Sequence, residues 1–81
     1  MDKYEKLAKD TRKVLSAIKK AFNGGFGKFE NGTDIFYVSY VDWELYLFKA
    51  DQICGSAKLY QDGNFRNFFS VCLGFMEEED C

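Results

Sequence analysis

The first twenty-two residues repeat their apolar side chains at steps of three and four, and Asn23-Gly24-Gly25 then ends the repeat. A helical period with a glycine stop constrains this chain more than any other feature. Tyr4, Leu7, Ala8, Val14, Leu15, Ile18 and Phe22, with Thr11 filling the gap, fall within an arc of roughly 120° on a helical wheel. Lys6, Lys9, Lys13 and Lys20 gather on the opposite side. Asp2 and Glu5 at the start, and Lys19 and Lys20 at the end, suit the helix dipole. The pattern predicts an N-terminal amphipathic helix, closed by glycine in the left-handed conformation.

From Phe26 onward the period falls to two. Phe26 to Glu30 alternates, and Asn31-Gly32 is a hairpin signal. Ile35 to Val41 is aromatic and β-branched, as a pleated surface prefers. Gln61-Asp62-Gly63-Asn64, between Leu59-Tyr60 and the run from Phe65 to Phe75, predicts a second hairpin on an Asp-Gly turn. Residues 43–53 read two ways. As a strand they put Trp43, Leu45 and Leu47 on one side and Glu44, Tyr46 and Phe48 on the other. As a second helix they take Asp42 as N-cap and Gly55 as the residue past the C-cap. The neighbouring runs favour the strand. The expected fold is therefore α+β, with one N-terminal amphipathic helix packed on an antiparallel sheet of four or five strands. At 81 residues it is read as a single domain, residues 1–81.

Several functional classes are disfavoured by what the chain lacks. It contains no histidine, which removes the commonest general base and the commonest metal ligand. Ser16, Ser39, Ser56 and Ser70 have no such base to activate them, and no G-x-S-x-G turn occurs. The glycines of Gly24-Gly25-Phe26-Gly27-Lys28 follow a helix instead of preceding one, so they cannot form a phosphate-binding loop. Asp42 and Glu44, two apart, could share a strand face and hold a cation, but a solvated strand face is the commoner origin of that spacing. Neither an enzyme nor a bound metal or cofactor is expected.

Cys54, Cys72 and Cys81 are an odd number without a C-x-x-C pair, which makes a poor disulfide framework. Cys54 and Cys72 are expected as small buried hydrophobes, and Cys81 as an exposed thiol behind the acidic run Glu77 to Asp80. The charged N-terminus carries no secretory h-region, and no stretch of eighteen apolar residues occurs. A cytoplasmic protein, with no membrane association, is the expectation.

Charge is divided along the chain. Residues 1–23 carry seven basic and three acidic side chains; the remainder carries four basic and ten acidic, for a net charge of −2. A basic helix on an acidic body suggests two partners of opposite sign, or a helix held partly by attraction to its own sheet.

Fifteen aromatic residues, 19 % of the chain, exceed what one sheet–helix interface can hold. Phe36, Val38 and Tyr40 must face away from Ile35, Tyr37 and Val41, so aromatic surface remains on the sheet face the helix does not cover. Exposed aromatic patches rimmed by charge mark protein interfaces. The expected protein-binding contact is Phe36, Tyr40, Tyr46 and Phe48, with acidic rim residues Asp42, Glu44 and Asp62; a homodimer is a second way to use such a face.

No motif assigns the chain to a family. In size, acidity, aromatic richness and lack of catalytic groups it is similar to the small single-domain inhibitors encoded by phages and mobile elements, of which anti-CRISPR proteins are one group. That resemblance implies a non-enzymatic protein-binding module that inhibits a host macromolecule, such as a nucleic-acid-binding complex, by occupying its surface in the host cytoplasm. The alternative is a nucleic-acid-binding protein that uses Lys6, Lys9, Lys13 and Lys20 against phosphates.

Overall fold

A computed structural model describes the backbone of residues 3–32, 34–50 and 52–77. The expected dipole partner Asp2, the acidic run from residue 78 and Cys81 lie outside the described residues, as does the side chain of Glu77.

Helix α1 spans Lys3–Phe22. It ends in two reversed hydrogen bonds, Gly24 N to Ala21 O at 3.1 Å and Gly25 N to Lys20 O at 3.3 Å. Gly24 sits at φ 90°, the left-handed residue that this Schellman closure requires. The face it buries is rotated from the expected one. Asp10, Val14, Ala17, Ile18 and Ala21 are buried, whereas Tyr4, Leu7, Leu15 and Phe22 remain exposed. The apolar arc is wider than the contact, and the helix seats on its small residues. At Gly27, the first residue of the first strand, a Cβ would overlap the backbone of Ala17. Alanine on one side and glycine on the other thus bring helix and strand backbones together.

Strands β1 (Gly27–Asn31), β2 (Asp34–Val41), β3 (Glu44–Lys49) and β4 (Gln52–Lys58) form one antiparallel meander in the order β1-β2-β3-β4. The run 43–53, expected as one strand, is divided: Trp43 lies in a turn, residues 44–49 are strand, and β4 begins at Gln52. Asn31 pairs with Asp34, so the first turn begins one residue later than Asn31-Gly32 suggested. Between β2 and β3, Asp42 and Trp43 take φ 50° and 66°, the two left-handed residues of a primed hairpin turn. Ala50, after β3, takes φ 55°. Such angles cost non-glycine residues about 1 kcal/mol each. A bulge between Leu47 and Phe48 places Cys54 as an extra residue in β4.

The expected second hairpin is absent, and a second helix, α2 (Asn64–Glu77), takes its place. Phe68, Cys72 and Met76 are buried at i, i+4 and i+8, a helical spacing inside a run whose Phe and Val favour strands. The Asp62-Gly63 pair leads into this helix. Asn67 N makes the first helical bond to Gly63 O at 3.0 Å, and Asn64 Nδ2 holds the loop through Lys58 O at 3.1 Å and Gln61 Oε1 at 2.9 Å.

Both helices cover the same side of the sheet, α1 over β1 and β2 and α2 over β4. The core between the layers contains Val14, Ile18, Phe36, Val38, Leu45, Leu47 and Cys72, all fully buried. Phe36 stacks on Phe29 at 5.1 Å and meets Phe75 at 5.0 Å. Lys6 Nζ donates to the buried Asp10 carboxylate at 2.9 Å and to Met76 O at 3.3 Å, while Asn31 Nδ2 donates to Phe75 O at 2.6 Å. These donors satisfy the carbonyls at the C-terminal end of α2 and fasten it to α1 and β1.

Candidate functional site

Because both helices lie on one side, the other side of the sheet is bare among the described residues. Strand alternation aims Ile35, Tyr37 and Val41 of β2 outward, and Glu44, Tyr46 and Phe48 of β3 with them. The register sets these side chains in rows. Lys28, Tyr37, Phe48 and Ile53 cross the four strands side by side; Ser39, Tyr46 and Ser56 form the next row, and Val41, Glu44 and Lys58 the last. Phe26, just before β1, is 68 % exposed and closes a shallow depression with Tyr37, Phe48 and Ala50. Ile53 is 60 % exposed. The result is an aromatic and aliphatic surface with charges at two corners.

Those corner charges are balanced locally. Lys28 Nζ lies 3.3 Å from Glu30 Oε1. At the far corner Glu44 is the register partner of Lys58. Partial desolvation and then the Glu44 carboxylate, acting by charge and by hydrogen bond, push the Tyr46 phenol up from its ordinary value. Tyr46 is therefore a neutral, hydrogen-bonding aromatic at physiological pH. Its ring lies 6.2 Å from that of Phe48.

Of the seven residues expected in a protein contact, the structure brings Glu44, Tyr46 and Phe48 together on this face. Phe36 is not there. It is fully buried under the helices, and its replacement by alanine would cost about 3–5 kcal/mol of stability without reporting on docking. Tyr40 shares the covered side, half-buried, with its ring edge-on to Phe22 at 4.8 Å. Asp42 is in the β2–β3 turn, and Asp62 in the loop into α2. The expected partition of β2 holds, but the side that faces outward is that of Ile35, Tyr37 and Val41, opposite to expectation. Phe26, Ile35, Tyr37, Val41 and Ile53 take the places given to Phe36 and Tyr40. The signal was in the pairing: Val38 is the register partner of the aliphatic Leu47, so the Phe36–Val38 side belongs to the core.

On the helix layer, Lys9, Lys13 and Lys20 are exposed on the outer side of α1, while Lys6 is committed to Asp10 and Met76. Arg12, Lys13 and Ser16 border a groove whose other wall is Lys28, Phe29 and Glu30 of β1. Among the described residues, no three Cys, Asp or Glu side chains gather to hold a metal ion. Cys54 is half-buried, its thiol 3.8 Å from Gln52 O, and Cys72 is in the core. No helix is long and apolar enough to cross a membrane among the described residues.

These features define a two-layer α+β protein, a meander with both helices on one side and an uncovered aromatic face on the other. Compared with family models, curated proteins and solved structures, the chain matches none of them.

Proposed function

We propose that this chain is a non-enzymatic protein-binding module, and that it acts by laying its uncovered sheet face on the surface of a partner protein. The observation that carries the reading is the contiguity of Phe26, Tyr37, Tyr46 and Phe48 with Ile35 and Ile53 on one rigid face. Burying such side chains releases water, and a sheet loses little conformational freedom on docking, so more of the gain survives as affinity. Tyrosine is also among the residue types that dominate interface energies. Aliphatic residues among the aromatics, with corner charges that cancel, favour a protein over a single-stranded nucleic acid, which needs a positive groove beside its stacking platform. Inhibition by occupancy, in the manner of the small phage and mobile-element proteins that the chain resembles in profile, is the role such a module fills, with the cytoplasm as its place of action.

A second reading rests on Lys9, Lys13 and Lys20, exposed on one side of α1 and continued by Arg12. It is a phosphate-binding surface whose affinity would fall steeply with salt.

Affinity capture from lysate, with and without nuclease, separates the two when repeated with the Tyr37→Ala/Phe48→Ala variant. The docking reading expects one stoichiometric protein, retained after nuclease and lost with the folded variant. Retention that ignores the variant overturns the face assignment. Recovery of nucleic acid, lost instead when Lys13 and Lys20 are reversed in charge, establishes the second reading.

A further inference from the structure

We infer that in the free protein the bare sheet face is closed by a second copy of the chain, packed sheet on sheet about a two-fold axis through Phe48. This rests on the reading that the face docks protein and concerns the regulation of that same site. An aromatic face this continuous is rarely left open on a free soluble chain. The register makes a second copy a complementary cover.

Consider a two-fold axis lying in the interface along the diagonal from Ser39 to Phe48. It turns the rows of one sheet onto the columns of the other, so that strands cross near a right angle, a known mode of sheet packing. Phe48 then meets its own counterpart. Tyr37 falls on Tyr46 of the second copy, and Phe26 on Val41 of the second copy. At the corners, Lys28 falls on Glu44 of the second copy and Glu30 on Lys58 of the second copy. The assignments within the strands follow from the pairings Lys28–Tyr37–Phe48, Glu30–Ile35, Ser39–Tyr46 and Val41–Glu44–Lys58, and that of Phe26 from continuing β1 by one residue. Strand spacing of about 4.8 Å and a two-residue repeat of about 6.8 Å are similar enough for lysine and glutamate to bridge the mismatch.

The aromatic centre thus meets itself, Ile35 falls on Ser56 of the second copy, and each of these charges meets its opposite, twice per dimer by symmetry. The two intrachain couples, Lys28 with Glu30 and Glu44 with Lys58, merge into two four-charge clusters of alternating sign. Within one chain Lys28 and Glu44 cannot meet, because β2 separates their strands and they stand two rows apart. A face of roughly 20 by 20 Å gives about 800 Å² over both copies, below the roughly 1,200 Å² at which stable interfaces begin and in the range of weak, reversible ones. The dimer is accordingly a resting form, which a foreign partner that buries more of the same face displaces.

The test is sedimentation equilibrium on the full chain and on Lys28→Glu, Glu44→Lys and the double swap, over a roughly hundredfold range of concentration. Thermal melts confirm that each variant is folded. Each single swap sets like charges opposite each other at two symmetric places and should weaken dimerisation on the order of tenfold. The double swap should restore it, since complementary charges then face each other with signs exchanged. A dimer indifferent to the single swaps, or not rescued by the double swap, overturns the inference. So does a chain that is monomeric throughout. If that monomer still loses its captured partner on Tyr37→Ala/Phe48→Ala substitution, the docking reading stands without the dimer; if capture is unaffected, both fall.

Discussion

Single residues carry two of the costs that this fold accepts. Asp10 is a carboxylate on the buried side of α1, held by Lys6 four residues earlier on the same helix. Asp10 lies outside the expected apolar arc and is buried because α1 seats on a rotated face, and its Lys6 partner shows why the charge is tolerated there. Cys72 behaves as its sequence context suggested, a small hydrophobe, and burial pushes its thiol up to about 12. The sign of the resulting pH dependence follows directly. Above the ordinary thiol value near 9 the unfolded chain gives up this proton while the folded chain keeps it, so stability falls as pH rises towards about 12. Urea unfolding at about pH 8 and about pH 10 should show wild type losing about 1 kcal/mol more than Cys72→Ala over that interval. Equal losses would mean that the thiol is not sequestered.

At the level of elements, local signals agreed with the fold where one period dominated. The helix over Lys3–Phe22, its glycine stop and strand β2 follow from spacing alone, whereas residues 43–53 fit both periods and only their neighbours favour a strand there. The run from Phe65 to Phe75 is helix where a strand is expected, because its aromatic residues satisfy both periods. Strand preference and an Asp-Gly pair suggested a hairpin, but the Phe68, Cys72 and Met76 spacing prevailed once β4 offered a surface to bury it. Strand β4, Gln52–Lys58, is too small in its side chains to announce itself. The seating of α1 was also hidden, because hydrophobicity ranks Leu15 and Phe22 above Ala17 and Ala21, whereas close approach prefers the alanines. That approach predicts a sharp response at Gly27. Gly27→Ala should lower stability by about 3 kcal/mol, and the melting temperature on the order of 15 °C, by forcing α1 off β1. A melt within a few degrees of wild type would show that the helix can shift without cost.

On the scale of the whole molecule, the sheet is open at both edges and covered on one side, so protection should be graded across it. Amides of β2 and β3, paired on both flanks, are expected to exchange with solvent most slowly, and outward-facing amides of β1 and β4 fastest. Hydrogen exchange followed residue by residue checks this; slowest exchange along the outer edge of β4 would mean that another strand covers it. The candidate site belongs to this scale as well. Sequence periodicity divides β2 into Phe36, Val38 and Tyr40 against Ile35, Tyr37 and Val41, and β3 into Trp43, Leu45 and Leu47 against Glu44, Tyr46 and Phe48, of which only Trp43, in the β2–β3 turn, departs. Those partitions, the first helix and its stop were determined by the chain alone, because they depend on bond geometry repeated along the backbone. Which side of β2 faces outward was decided only in three dimensions. Alternation is unchanged when the two faces of a strand are exchanged, and the choice is made by what packs against it: Leu45 and Leu47 through the register, then α1 and α2 together on the side of Phe36.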